Sequence, residues 1–390
     1  MQVKWCKLKN FRNYDEASIE FFSGKNLISG GNGQGKTNIV EAVMLNALTK
    51  SPRTSHDEDM KKEGTSHTEV EVCIERNFGE LTLKCVLDDE LKKKFYINTN
   101  EVKKIGDVFG NLVAVYFSPE DLIIVSGGPS ERRDFMDTDI SQLSGSYYNL
   151  LQRYTKVLNQ RNKLLKFVHD KSVLADQIEV WNNQLAHLAG LIIKTRKNFI
   201  QKLKEPANET MKYISKNADE LSIEYIGAKG ETAAEIEAEI KKSLENNLDR
   251  DMELGYTTIG PHRDDLRFDL NKRDSRVFAS QGQQRSIVLA LKIAELKVFE
   301  NEIGEKPILV LDDVFSELDS TRQKKLYEYF ADTQVLMTGT LFKFKPDEDY
   351  LSIVVKNAKA KNKIMTKNKN TDWFWCFLLW LIFFLFFFLF

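Results

Sequence analysis

The chain has almost no net charge. Its 56 Lys and Arg face 57 Asp and Glu, a formal −1 over 390 residues. There is thus no overall basic field, and any nucleic-acid contact must come from local patches. Cysteine is sparse: Cys6, Cys73, Cys85 and Cys376 show no C-x-x-C spacing. That argues against a disulfide framework or a zinc site and suggests a reducing compartment. No secretory signal opens the chain, because Met1 to Tyr14 mixes polar and apolar residues. Sustained heptads are missing, which excludes an extended coiled coil, and no repeat of solenoid period is visible. What is present is length enough for a substantial core, expected in two domains.

The most informative stretch is Gly30-Gly31-Asn32-Gly33-Gln34-Gly35-Lys36-Thr37, followed by Asn38. It fits the phosphate-binding P-loop, and it lies between an apolar strand-like run, Asn26 to Ser29, and a helix-like run, Thr37 to Leu48. That is the context the motif requires. The glycines let backbone N–H groups turn around a triphosphate, and the helix N-terminus adds partial positive charge. Lys36 is expected to reach the β- and γ-phosphates of ATP and Thr37 to bind Mg²⁺.

Around this motif the first ~130 residues read as strand-rich. The middle reads as helical. Leu151, Tyr154, Leu158, Leu165 and Val168 share one face, as do Leu185, Leu188, Ile192, Phe199 and Leu203, with Pro206 expected to end the second run. Glu235 to Leu248 is a further charged helix. An α/β pattern then returns: a Gly-Pro turn at 260–261, a helix from Ser280 to Phe299, and a buried strand at Ile308 to Leu311.

That strand ends in Asp312-Asp313. Acids delivered at the C-terminal end of a buried parallel strand suit a magnesium–nucleotide site. Asp312 is expected to hold Mg²⁺ and Asp313 to polarise the attacking water. Ser280-Gln281-Gly282-Gln283-Gln284 opens the preceding helix and resembles the signature motif of ABC-type ATPases, which contacts the γ-phosphate held by another protomer; alone it reads as an ordinary Ser N-cap, but its place about 30 residues before the Asp pair favours the signature. Ser316-Glu317-Leu318-Asp319 resembles the D-loop, which contacts the partner subunit. His is common at the switch position after the last strand in such proteins; here it is Thr338.

About 240 residues separate Thr37 from Ser280, more than in transporter ATPases and far fewer than in SMC proteins. Several segments resemble the RecF family: Leu8-Lys9-Asn10-Phe11-Arg12-Asn13-Tyr14, Gly33 to Asn38, Arg53-Thr54-Ser55 and Phe117 to Leu122. Pro129 to Arg133, Tyr154 to Asn162 and Gly260 to Asp265 match it as well. The resemblance implies an α/β fold, an ABC-type ATPase head with an inserted compact α-helical domain. The head is expected in two parts, 1–140 and 251–345, with the insert at 141–250. It also implies a bacterial cytoplasmic protein that binds ATP, Mg²⁺ and DNA (single-stranded and gapped duplex). Such a protein dimerises with ATP, hydrolyses it weakly, and works with RecO and RecR to place RecA on gapped DNA.

Arg132, Arg133, Arg153, Lys156, Arg161 and Lys163 are the candidate DNA contacts, since phosphate contact needs only suitably spaced cations. His262 and Arg263, after the Gly-Pro turn, suit a structural turn as well as a ligand contact. Residues 346–390 are expected to be a tail. Lys356, Lys359, Lys361, Lys363, Lys367 and Lys369 precede an unbroken apolar run, Trp373 to Phe390. The run is long enough to span a bilayer, but its Phe/Leu bias after a Lys/Asn-rich stretch is what AT-rich DNA encodes without regard to protein function. A non-native tail is the expectation, with a membrane anchor or buried helix as alternatives. The competing functional readings are a membrane-anchored ABC-type transport ATPase subunit, which the helical insert and the matches outside the P-loop argue against, and an interaction module with an inactive nucleotide site.

Overall fold

A computed structural model describes residues 1–88, 90, 92–168, 171–314, 330, 332–340 and 349–365. The chain begins with β1 (Gln2–Phe11) and β2 (Tyr14–Glu20), then β3 (Lys25–Ser29) and α1 (Lys36–Leu48). β4 (Thr68–Arg76), β5 (Gly79–Leu87), β6 (Lys93–Ile97) and the short β7 (Asn100–Glu101) complete an antiparallel sheet in the order β2-β1-β4-β5-β6-β7. Alternation decides its orientation. In β5, Leu81, Leu83, Cys85 and Leu87 are buried, while Glu80, Thr82, Lys84 and Val86 stand on the other face.

β8 (Ala114–Phe117) leads into α2 (Ile123–Ser126), α3 (Pro129–Leu143), α4 (Gly145–Phe167) and α5 (Lys171–Ser215). The expected stop at Pro206 does not occur: α5 runs through it. An internal proline costs ~3 kcal/mol in a helix. Here it is offset by packing on both sides, because Leu203, Ala207 and Met211 are fully buried and α5 packs against α4, α6 and α9. The Thr210 hydroxyl also donates to the Pro206 carbonyl at 2.8 Å. β9 (Leu221–Ile226), α6 (Ala233–Asn246) and α7 (Leu248–Leu254) follow, then β10 (Asp265–Leu270), β11 (Arg273–Asp274), α8 (Ser275–Phe278) and α9 (Gln281–Ile303). α6 starts at a capping box: Thr232 accepts from the Glu235 N–H and the Glu235 side chain reaches back to the Thr232 N–H.

β12 (Ile308–Asp312), β13 (Val335–Gly339), β14 (Tyr350–Lys356) and β15 (Lys359–Met365) complete the central sheet, in the order β15-β14-β3-β13-β12-β8. β14, β3, β13, β12 and β8 run parallel; β15 returns antiparallel. One face of this sheet, with Ile28, Val310, Leu336 and Ile353, packs with α1 against the antiparallel sheet. The other, with Leu27, Leu309, Leu311 and Met337, packs under α3, α5 and α9. Residues 350–365, expected in a tail, are therefore part of the core sheet: Leu351, Ile353 and Val355 are buried. The apolar run at 373–390 and Ser316–Asp319 lie outside the described residues. Among the described residues, no helix is long and apolar enough to cross a membrane.

Two of the six DNA candidates are structural. Arg161 is fully buried between α4, α5 and α7, with its guanidinium on Asp251 (2.7 Å), Asn182 (2.7 Å) and Thr257 (2.7 Å). Arg132 is 3% exposed and forks onto both carboxylate oxygens of Asp265 at 2.6 and 3.0 Å. Cutting one side of a buried pair strands the other charge, which costs ~3–5 kcal/mol. Arg161→Met is accordingly expected to lower unfolding free energy by about 3–5 kcal/mol in urea titrations, whereas Arg153→Ala, eight positions earlier on the exposed face of α4, changes it by less than ~0.5 kcal/mol.

Candidate nucleotide site

β3 sits in the middle of the central sheet, paired with β13 and β14, so the loop after Ser29 emerges at the sheet's carboxyl end, where ligands of parallel sheets collect. Two glycines there are obligatory. A Cβ on Gly30 would lie 2.4 Å from the Val355 carbonyl oxygen; Gly35 has φ +108°, with the Tyr14 ring 2.9 Å from where its Cβ would be. Tyr14 also donates to the Gly35 carbonyl at 3.1 Å. No side chain caps the first turn of α1, which leaves its N–H groups turned toward the loop. Lys36 is 8% exposed and donates to the Gly31 carbonyl at 2.9 Å, curled over the loop. Farther along α1, fully buried Glu41 is held by Arg12 and Arg53, binding the β1–β2 turn and the 51–55 loop to the helix.

The distant halves of the expected site meet at Asp312. Its Oδ1 accepts from Thr37 Oγ1 at 3.0 Å and from Thr338 Oγ1 at 2.5 Å; its Oδ2 accepts from the Tyr116 hydroxyl at 2.9 Å. Burial and the adjacent carboxylate push the Tyr116 phenol well above its ordinary range, so it stays a proton donor. Thr338, at the switch position, also accepts from the Asp313 N–H at 3.0 Å. Asp313 has φ +56°, a left-handed turn that ends the strand and redirects its side chain away from the β12 alternation. Thr37 and Asp312 together offer adjacent hard oxygen ligands, a donor set that fits Mg²⁺ bound partly through water. Tyr116 is not among the residues that the sequence marks, and its only sequence signal is a place near the end of a strand flanking β12; Thr338 is marked there only as the switch position that lacks His.

Ser280 is the N-cap of α9, in a capping box with Gln283, and is exposed with Gln281 and Gly282. Gln284 is buried and donates to the Ser275 carbonyl at 3.3 Å. Val277 and Phe278, just before, are 69% and 65% exposed. Among the described residues, no hydrogen bond joins 280–284 to 30–37.

The segment Ser118–Asp121, at the end of β8, is itself a capping box and is tied to α9 through Lys292, 3.7 Å from Asp121 and 3.2 Å from Glu295. These groups line a cleft of about 450 Å³ together with Arg53, Thr54 and Asp139. Within the cleft Asp121, Asp139 and Glu295 surround Lys292, and Asp139 Oδ2 is buried with no hydrogen bond. Burial drives the Asp139 carboxyl up to about 7, opposed by Lys292.

The remaining cations divide clearly. Arg133 donates to the Asp264 carbonyl at 2.9 Å. Arg153, Lys156 and Lys163 are exposed on α4 and form no ion pair among the described residues. His262 takes the structural role: its Nδ1 accepts from the Tyr154 hydroxyl at 2.7 Å and its Nε2–H donates to the Thr257 carbonyl at 3.1 Å. Burial lowers it to about 4, so it stays neutral. Arg263 stacks over Tyr256 at 4.8 Å.

The family described as RecF/RecN/SMC N terminal domain matches residues 2–341. Proteins named DNA replication and repair protein RecF are similar over most of the chain. That of Ruminiclostridium cellulolyticum is 41% identical over 346 residues, 87% of this chain and 93% of its own. That of Acetivibrio thermocellus is 41% identical over 370 residues, 92% and 100% respectively. A solved structure of the recombination mediator protein RecF with ATP in the RecFOR pathway superposes with TM-score 0.87 at 33% identity, covering 93% of this chain and 97% of that one. The Smc head domain of Pyrococcus furiosus, at 15% identity and TM-score 0.53, shares the fold. The α/β ATPase head with inserted helices, expected from the sequence, is the observed fold.

The Asp139 carboxyl carries a pH signature. Its folded value lies near 7, above the unfolded value of about 3.9. The folded state therefore keeps a proton that the unfolded state has lost, and stability falls as pH rises from 4 to 7. Asp139→Asn mimics the protonated group. It is expected to match wild type at pH 4 and to be the more stable of the two above pH 7, read from urea midpoints across pH; a wild-type advantage at pH 8 would contradict the assignment.

Proposed function

The chain belongs to the RecF family, and on that premise we propose that it is an ATP-dependent DNA-binding protein of recombinational repair and replication-fork maintenance, acting in the bacterial cytoplasm. Its task in this reading is to help RecO and RecR load RecA on gapped DNA. The observation that carries the ATP part is the meeting of Thr37 and Asp312 at 3.0 Å, from segments 275 residues apart.

The backbone amides of Gly30–Gly35 and the start of α1 cradle the phosphates. Lys36 exchanges the Gly31 carbonyl for the β- and γ-phosphates, a charge-assisted contact stronger than the one it leaves. Thr37 and Asp312 hold Mg²⁺, which supplies charge neutralisation at the phosphate oxygens. Tyr116 and Thr338 fix the Asp312 carboxylate, and Asp313 orients the attacking water. With Thr338 rather than His at the switch, no imidazole helps stabilise the γ-phosphate there, which supports slow turnover.

Ser280–Gln284 are exposed at their start and do not reach their own P-loop. In this reading they complete the site of a second copy, with the N-terminus of α9 aimed at its γ-phosphate and Val277 and Phe278 covered in the dimer. ATP thereby controls dimerisation, and hydrolysis releases it. The head comprises 1–140 and 251–345 together with the β14–β15 hairpin, with 141–250 as the insert; Arg153, Lys156 and Lys163 on that insert contact DNA phosphates.

Lys36→Met is expected to abolish measurable ATP binding, because it removes charge-assisted hydrogen bonds of ~1.5–3 kcal/mol each. Ser280→Arg should bind ATP normally but stay monomeric in light scattering; an ATP-induced dimer of that variant would sink the trans assignment. ATP hydrolysis should be stimulated by gapped duplex, with the stimulation falling steeply between ~50 and 200 mM salt. Stimulation indifferent to salt would argue against phosphate-driven binding.

A further inference from the structure

The lysine run before the apolar tail is built into the edge of the central sheet. β14 and β15 form a hairpin in which Lys356 stands opposite Lys359, Val354 opposite Lys361, and Ser352 opposite Lys363. Residues directly opposite in an antiparallel pair share a face. Lys356, Lys359, Lys361 and Lys363 therefore form one patch, and all four are exposed. The opposite face, with Leu351, Ile353 and Val355, is in the core. Along β15 the ammonium groups recur every second residue, ~7 Å apart. Among the described residues none of the four has an ion pair. Lys356 and Lys359 are a directly opposed like-charge pair, an arrangement that destabilises a hairpin unless an anion lies across it.

The turn of this hairpin rests on the P-loop. The Asn357 N–H donates to Gln34 Oε1 at 2.6 Å, and the Ala358 N–H donates to the Gln34 carbonyl at 3.2 Å. The Val355 carbonyl fills the space that a Cβ on Gly30 would need. The element that displays the lysines is thus in direct contact with the loop expected to hold the triphosphate.

We propose that the Lys356/Lys359/Lys361/Lys363 face of the β14–β15 hairpin is a DNA phosphodiester contact surface, joined to the nucleotide site through Gln34. The proposal rests on the DNA-binding reading above and assigns it a surface outside the helical insert. The chemistry favours a polyanion whose charges are spread along a line: a row of exposed ammoniums without a pocket. A bilayer is less suited, because among the described residues Val354 is the exposed apolar side chain on the lysine face, no Trp, Phe or Leu of the hairpin stands there, and the exposed Ile364 lies on the other face, opposite Leu351. By reciprocity, DNA on the hairpin changes ATP affinity by the same factor as ATP changes DNA affinity there.

The test uses the full chain as wild type, Lys361→Gln/Lys363→Gln and Lys361→Arg/Lys363→Arg. ATP binding is measured without DNA. Binding of labelled gapped duplex with ATP is then followed by anisotropy across a salt series. The Gln pair should bind ATP as wild type does, while its slope of log affinity against log salt becomes shallower by roughly 2, at about 0.9 for each phosphate that is no longer neutralised. The Arg pair should keep the wild-type slope. An unchanged slope in the Gln pair, with wild type binding DNA, overturns the hairpin assignment and leaves the DNA reading standing. A wild type that binds no DNA overturns both. Loss of sedimentation with phosphatidylserine vesicles in the Gln pair, at unchanged DNA slope, would make the patch a lipid contact and also overturns the proposal.

Discussion

One carboxylate ties the architecture to its chemistry. Asp312 ends the buried strand β12 and receives hydroxyls from α1, β8 and β13. A carboxylate with 6% exposure is costly to leave unpaired. Three donors from three elements hold it in place and thereby fix the register of the central sheet against the P-loop helix. The same arrangement leaves oxygen ligands beside a ring of backbone amides. Stability and metal–nucleotide competence are therefore served by one set of contacts, and a cation arriving there competes with the Thr37–Asp312 hydrogen bond.

The antiparallel sheet and α1 enclose an apolar core. The segment after β8 and helix α9 meet through Lys292 and its carboxyl neighbours, in a cleft large enough to hold water and lined on one side by Met44 and Leu48 of α1. This cluster is only partly satisfied by hydrogen bonds, with Asp139 Oδ2 and Glu295 Oε1 left without one. It joins the segment next to the nucleotide site to the helix that begins with Ser280.

Legibility from the sequence follows contiguity. The P-loop, the Asp pair and the α9 cap are local patterns with local physical causes, and each lies on the element expected. Tyr116 is invisible in the sequence because its partner is 196 residues away and nothing in its immediate neighbourhood demands it, and Thr338 is legible only as the switch position, not as a partner of Asp312. Arg161 reads as a surface cation although the sequence holds a signal to the contrary. It falls between Tyr154, Leu158 and Leu165 on the face that the periodicity marks as inward. Pro206 misleads in the other direction, because tertiary packing outweighs a local penalty. The lysine-rich segment reads as a tail by composition, and the buried alternation of Leu351, Ile353 and Val355 that carries the strand is masked in the sequence by the exposed Val354 between them. Ser316–Asp319 and the apolar terminus remain sequence readings.

The central claim is that ATP, held between the P-loop of one copy and Ser280–Gln284 of another, sets the grip on DNA. Dissociation of gapped duplex from the wild-type protein, preloaded with ATP and chased with either ATP or ADP, tests it most directly when the sedimentation of the complex is followed in parallel. The account predicts a slowly dissociating dimer in ATP and fast release as monomers in ADP. Equal dissociation rates and the same assembly state in both nucleotides would contradict it.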